Sequence, residues 1–277
     1  MLSMKIVVDM LGGDLGIAAT YSGLEAFIAS HPDVEVYAVG TANVLNNLKG
    51  IKVIDANQNV KMDAHAMELL HDKDSSMAKA FMTLNQENAD AIVSCGGTGA
   101  LLTFASIKVK KLDNVIRPAL ISPIPTLKSE KKTLLLDLGA NSENKVQELV
   151  AFAKMAKVYY QAVYNKEPTI ALLSNGTEEE KGSPLILEAH KALKEEKLNG
   201  FIGNVEASDL LKGKVDIVVT DGFTGNIALK SIEGVGEVVK VLLKDMFTKS
   251  LKNKLAYLLI KKDLKKKLLR FMLIDLY

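Results

Sequence analysis

Cysteine is almost missing from this chain: Cys95 stands alone among 277 residues. One thiol excludes an intramolecular disulfide framework and matches a reducing compartment. Tryptophan is absent, and the four histidines (His31, His65, His71, His190) are scattered rather than grouped. No Cys/His spacing suits zinc, so no metal is expected. No apolar run approaches the ~20 residues that span a bilayer. The opening Met1-Leu2-Ser3-Met4-Lys5 lacks the regions of a signal peptide. These absences point to a cytoplasmic protein, soluble or peripheral to a membrane.

What is present is ordinary globular material, 48% apolar and 25% charged, enough to bury a substantial core. β-rich runs occur at Lys5–Asp9, Val34–Val39, Lys52–Ile54, Ala91–Ser94, Ala119–Ser122, Thr133–Leu138, Thr169–Ser174, Phe201–Gly203 and Asp216–Thr220. Several are continuously apolar, such as Ile6-Val7-Val8, Leu134-Leu135-Leu136 and Ile217-Val218-Val219. Strands of that kind are covered on both faces, as in a parallel sheet. Helical patterns over 17–30, 75–88, 142–163 and 183–197 alternate with them. The expectation is therefore an α/β fold, a largely parallel sheet with helices on both faces. Residues 1–234 are read as the α/β domain and 235–277 as a helical segment continuous with it, one structural domain overall.

Polar turns follow the predicted strands at Asp9 to Asp14, Ser94 to Thr98, Asp137 to Asn141, Ser174 to Lys181, Asn204 to Glu206 and Asp221 to Asn226. In open α/β sheets, ligands bind beyond the carboxyl ends of the strands. Glycine-rich turns that open helices leave unpaired N–H groups facing such a ligand. Three of these junctions have that grammar: Ser94-Cys95-Gly96-Gly97-Thr98-Gly99, Ser174-Asn175-Gly176-Thr177 to Lys181-Gly182, and Asp221-Gly222-Phe223-Thr224-Gly225-Asn226. Together they suggest a site for an anion such as phosphate.

The net charge of +2 hides an asymmetry. Residues 238–277 carry eleven Lys/Arg against three acids, a net of +8. Val235, Val238, Val239, Leu242, Leu243, Met246 and Phe247 recur at helical spacing and fit an ordinary core helix. The pattern over 251–272 is basic and amphipathic, with Lys252, Lys254, Lys265, Lys266 and Lys267 as candidate contacts for an anionic membrane or an acidic protein. No nucleic-acid motif accompanies the charge.

Ordered motifs carry a family resemblance. Asp9-Met10-Leu11-Gly12-Gly13-Asp14 resembles the opening of the bacterial phosphate acyltransferases of phospholipid synthesis, the PlsX family. Lys73-Asp74-Ser75-Ser76-Met77, Thr98-Gly99-Ala100, Arg117-Pro118-Ala119-Leu120 and Leu135-Leu136-Asp137-Leu138-Gly139-Ala140-Asn141 follow. Then come Glu178-Glu179-Glu180-Lys181-Gly182, Gly203-Asn204-Val205-Glu206 and the 221–226 turn, so that the resemblance runs over residues 4–277. It implies transfer of an acyl group from acyl carrier protein to inorganic phosphate, without a cofactor. It also implies a fold akin to phosphotransacetylases and isocitrate-type dehydrogenases, a homodimer and transient membrane association. The chain departs from the family at Gly97, Ser174, Asn175 and Thr177, and it stops at Tyr277 where a glycine-rich segment is expected to follow.

Under that reading phosphate itself attacks the thioester, so no protein nucleophile is needed, and Cys95 is expected to be a small packing residue. Gly97, Thr98, Gly99, Thr224, Gly225 and Asn226 are expected to cradle phosphate, and Lys181 to balance its charge. Asn141 and Asn204 are candidate donors to the carbonyl, and Asp221 is expected either to orient them or to manage protons. Asp9, Gly12, Gly13 and Asp14 are expected to shape the first turn. Three other readings stay open: a phosphate acetyl- or butyryltransferase using acyl coenzyme A, a non-catalytic scaffold, and a dehydrogenase of the isocitrate type. Against the last, no carboxylate trio suits a divalent metal and no complete G-x-G-x-x-G follows the first strand.

Overall fold

The computed structural model describes residues 4–13, 15–60, 66–113, 115–128 and 131–272, with the side chains of residues 66, 67, 70 and 265–272 outside that description. The chain divides into two compact units between residues 114 and 115. In the first, β1 (Lys5–Asp9), β2 (Glu35–Gly40), β3 (Ile51–Asp55) and β4 (Ala91–Ser94) form a parallel sheet in the order β3-β2-β1-β4. Helices α1 (Gly16–Ser30), α2 (Ala42–Leu45), α3 (Ala66–His71), α4 (Ser76–Gln86) and α5 (Thr98–Lys108) connect or follow these strands. The alternation of side chains along β2 explains its unbroken apolar run. Val36 and Ala38 pack with Leu24 of α1, whereas Tyr37 and Val39 pack with Ala80 of α4. Ser75 caps α4, accepting from the Ala78 amide at 3.1 Å.

The second unit holds β5 (Ile121–Pro125), β6 (Lys132–Leu136), β7 (Ile170–Ser174), β8 (Phe201–Glu206) and β9 (Ile217–Val219), in the order β5-β6-β9-β7-β8. All neighbours are parallel except β5 with β6. β5 carries Pro123 and Pro125 and lies at the edge, where a residue without an N–H costs no ladder bond. Leu134 and Leu136 face one layer with Leu149 and Phe152 of α6 (Val146–Tyr164) and Ile186 of α7 (Pro184–Glu195). Leu135 and Val218 face the other, against Ala228, Leu229 and Ile232 of α8 (Gly222–Thr248). The α/β class and the two-sided cover are thus as the apolar runs imply.

Helix α8 runs unbroken through residues 234 and 235, and α9 (Leu251–Met272) follows it. The apolar stripe over 235–247 is no core face in this chain. Val235, Val238 and Leu242 are each more than half exposed, and Leu251, Leu255, Leu258 and Leu259 of α9 are exposed as well. Among the described residues no helix is long and apolar enough to cross a membrane.

Candidate active site

Two of the six polar turns belong to the first sheet and four to the second. In the first unit, parallel pairing sets Asp9 beside Ser94 at the carboxyl ends of β1 and β4. Fully buried Asp9 accepts from the Ser94 hydroxyl at 2.7 Å and the Leu11 amide at 3.2 Å, and Ser94 Oγ accepts from the Gly96 amide at 3.0 Å. A β-carbon on Gly12 would run into Gly96 N and both of those side chains, so the two turns close on each other only with glycine there. Gly13 lies against Cys95, and Asp14 lies outside the described residues. Cys95 is exposed rather than packed away.

Helix α5 opens just beyond. Its N-cap, Gly97, contributes no side chain, and the amides of Thr98, Gly99 and Ala100 have no partner among the described residues. Gly97, Thr98 and Gly99 are exposed, and a β-carbon on either glycine would meet nothing. Free N–H groups and the positive end of the helix dipole therefore face open space, the arrangement that receives an anion.

The second unit presents the carboxyl ends of β6, β7, β8 and β9 on one rim, since these strands are parallel. At its centre Asp137, fully buried, gathers four hydrogen bonds. Oδ1 accepts from the amides of Leu120 and Ala140 at 3.0 and 2.9 Å, and Oδ2 accepts from Asn141 N and Nδ2 at 3.0 and 2.8 Å. Four donors offset the desolvation of one carboxylate. The start of α8 is pressed onto this knot. A β-carbon on Gly222 would overlap the Asn141 carbonyl oxygen, and one on Gly225 would overlap the Asp137 carbonyl oxygen.

Several expected roles change here. Asn141 Nδ2 also donates to Pro118 O at 2.9 Å, so both of its amide hydrogens are engaged within the protein. Asn204 Nδ2 donates to the carbonyls of Glu178 and Lys181 at 2.8 and 3.3 Å, while Oδ1 meets His190 Nδ1 at 3.0 Å. Neither asparagine keeps a donor for a substrate carbonyl; each ties a loop to the rim. Asp221 is the N-cap of α8 and accepts from the Thr224 amide at 2.9 Å, an orientation that serves the helix rather than the asparagines. Two of the amides expected to cradle phosphate here are occupied too: Thr224 N bonds Asp221 Oδ1 and Gly225 N bonds Asp221 O. Gly222 N, just before them, bonds Asn144 Oδ1. What stays available is peripheral: the exposed Thr224 hydroxyl, the exposed Asn226 side chain and the Lys181 ammonium, which has no partner among the described residues.

The 174–182 loop is built around two glycines. A β-carbon at Gly176 would meet Glu178 and Lys181, and Gly182 sits at φ +126°. Lys194 bonds Glu179 at 2.7 Å and holds its carboxyl below the ordinary carboxylate range. Lys252 and Lys254 are exposed on α9, while the side chains of Lys265, Lys266 and Lys267 lie outside the described residues.

Residues 4–272 match the family model described as fatty acid synthesis protein. The phosphate acyltransferase of Lactobacillus gasseri is 42% identical over 272 residues, spanning 94% of this chain and 80% of that protein. The chain belongs to this family of phosphate acyltransferases. A second relative, the phosphate acyltransferase of Bacillus pumilus, is 40% identical over 259 residues, 91% of the enzyme and 77% of its own length. The fold also matches a phosphotransacetylase from Streptococcus pyogenes at a TM-score of 0.59 with 18% identity, over 85% of the enzyme and 82% of that chain. A branched-chain phosphotransacylase from Enterococcus faecalis gives 0.54 with 17% identity, over 82% and 84%.

The partners that hold the rim are only partly legible in the sequence. Asp137 was visible as an acid following Leu134-Leu135-Leu136, a place where a carboxylate must find several donors. Glu148 was not visible. It sits on α6 almost fully buried, accepting from the Lys145 amide at 3.0 Å and pairing with Arg117 at 3.3 Å.

Proposed function

We propose that the enzyme transfers an acyl group from an acyl carrier protein thioester to inorganic phosphate, and that phosphate binds at the N-terminus of α5. The uncapped amides of Thr98, Gly99 and Ala100 carry this reading, together with the open Gly97 and Gly99. A phosphate oxygen attacks the thioester carbonyl, forming the new C–O bond. The tetrahedral intermediate then expels the carrier thiolate as the C–S bond breaks, and the proton carried by phosphate passes to sulfur. Backbone donors fixed by a helix stabilise anionic charge without reorganisation, which is the requirement for such a step. Thr98 adds a hydroxyl at the same point. In the second unit, Lys181, Thr224 and Asn226 keep unspent polar ends and are assigned to substrate recognition.

Replacing Thr98 by Val and Lys181 by Ala tests the two assignments separately. The first is expected to raise KM for phosphate about tenfold. The second is expected to lower kcat/KM at least about tenfold, as loss of a charged hydrogen bond does. Acyl-phosphate formation within twofold of the parent in either variant removes that residue from the proposal.

The exposed apolar stripe of α8 and the basic surface of α9 support two further assignments. A second copy of the chain covers α8, and α9 rests its lysines on an anionic membrane at the cytoplasmic face. Sedimentation of Leu242→Glu as a dimer indistinguishable from the parent would sink the first. Vesicle binding that is unchanged when Lys252 and Lys254 become Glu would sink the second.

A further inference from the structure

The second sheet has an opposite rim, where its parallel strands begin, and a pocket of about 620 Å³ lies there. That volume suits a small molecule rather than a protein segment. Lys128, Lys131, Lys132, Tyr160, Tyr164, Lys166, Glu167 and Asp216 line it. Both acids are already engaged. Asp216 accepts from Lys131 at 2.9 Å, from Tyr160 Oη at 3.1 Å and from the Thr169 amide and hydroxyl at 2.8 and 2.6 Å. Glu167 pairs with Lys157 at 3.3 Å and accepts from Gln161. Lys128, Lys132 and Lys166 have no ion-pair partner among the described residues and are exposed at the pocket. Beside them Tyr160 and Tyr164 stand as a tilted pair, with ring centroids 4.5 Å apart. Asp216 anchors this wall, since it holds Tyr160 and Lys131 at once.

Three ammonium groups without an ion-pair partner among the described residues, beside an aromatic pair, select a ligand that is both polyanionic and flat. We propose that this pocket binds a nucleoside di- or triphosphate, its phosphates on Lys128, Lys132 and Lys166 and its base against Tyr164. Asp216 and Asp221 flank β9, so this pocket opens about 16 Å from the opposite rim. The pocket lies at the other end of β9 from Asp221, and its assignment does not depend on which group binds phosphate for acyl transfer.

Calorimetry on the full chain with ATP, adenosine and tripolyphosphate tests the proposal. ATP is expected to bind with Kd below about 1 mM, adenosine not measurably, and tripolyphosphate at least about fivefold more weakly than ATP. The Lys128→Ala/Lys132→Ala/Lys166→Ala variant is expected to lose at least about tenfold in ATP affinity, and Tyr164→Ala at least about threefold. Both should form acyl phosphate at the parent rate without nucleotide, which also reports that they fold; the single variant Lys166→Glu gives an independent reading. The proposal is overturned if ATP shows no binding up to about 5 mM. It is equally overturned if the triple variant binds ATP like the parent, or if tripolyphosphate binds as well as ATP.

Discussion

Helices α5 and α8 begin with nearly the same grammar, a β-strand, then glycine, threonine and glycine, yet their first turns have opposite fates. At α8, Asp221 occupies the Thr224 amide, Asn144 occupies that of Gly222, and the glycines are there because backbone presses on them. At α5, none of the described residues occupies the amides, and the glycines open onto space. The same residue type thus marks close packing in one turn and an open face in the other. A glycine-rich helix start is evidence for an anion site only after its amides have been accounted for.

The contrast makes graded predictions. Asp137→Ala should have the largest effect, about 3 kcal/mol or more of lost stability, because four donors, two of them buried, lose their acceptor. Urea denaturation measures it, and a loss below about 1 kcal/mol would mean that water replaces the carboxylate freely. Gly225→Ala should follow at about 1–3 kcal/mol, since the added carbon meets the Asp137 carbonyl. A melting curve superimposable on the parent's would erase the distinction between the two turns. Asp221→Ala should cost about 1 kcal/mol through the lost cap, again read from denaturant midpoints. The smallest effect, and one of opposite sign, belongs to Gly99→Ala in α5. With space for the methyl group, it should stabilise the protein by about 0.5–1 kcal/mol. Destabilisation there would show that α5's first turn is not open.

Much of the architecture was legible because it rests on local periodicity. Lys5–Asp9 and Ala91–Ser94 coincide with β1 and β4, and the predicted helix at 17–30 is α1 less its first residue. The apolar Leu134-Leu135-Leu136 run correctly implied cover on both faces. The division into two sheets was not legible, because the composition changes little at residue 114. The candidate site was legible as a set of turns but not as a set of available groups. Asn141 and Asn204 look in sequence like free amides, and only their partners, Pro118, Asp137, Glu178, Lys181 and His190, reveal that they are engaged.

Side-chain alternation and turn chemistry act over a few residues, so the amino-acid sequence alone determined the α/β class, the order of elements and the positions of the polar junctions. Hydrogen-bond satisfaction acts between residues far apart in the chain, as between Gly222 and Asn144 or between Asp216 and Lys131. Tertiary structure therefore decided which amides are spent and which remain open at α5. It also brought the lysines of one hairpin and the tyrosines of α6 to a single pocket. A donor can be used only once, and its acceptor is chosen by the fold rather than by its neighbours in sequence.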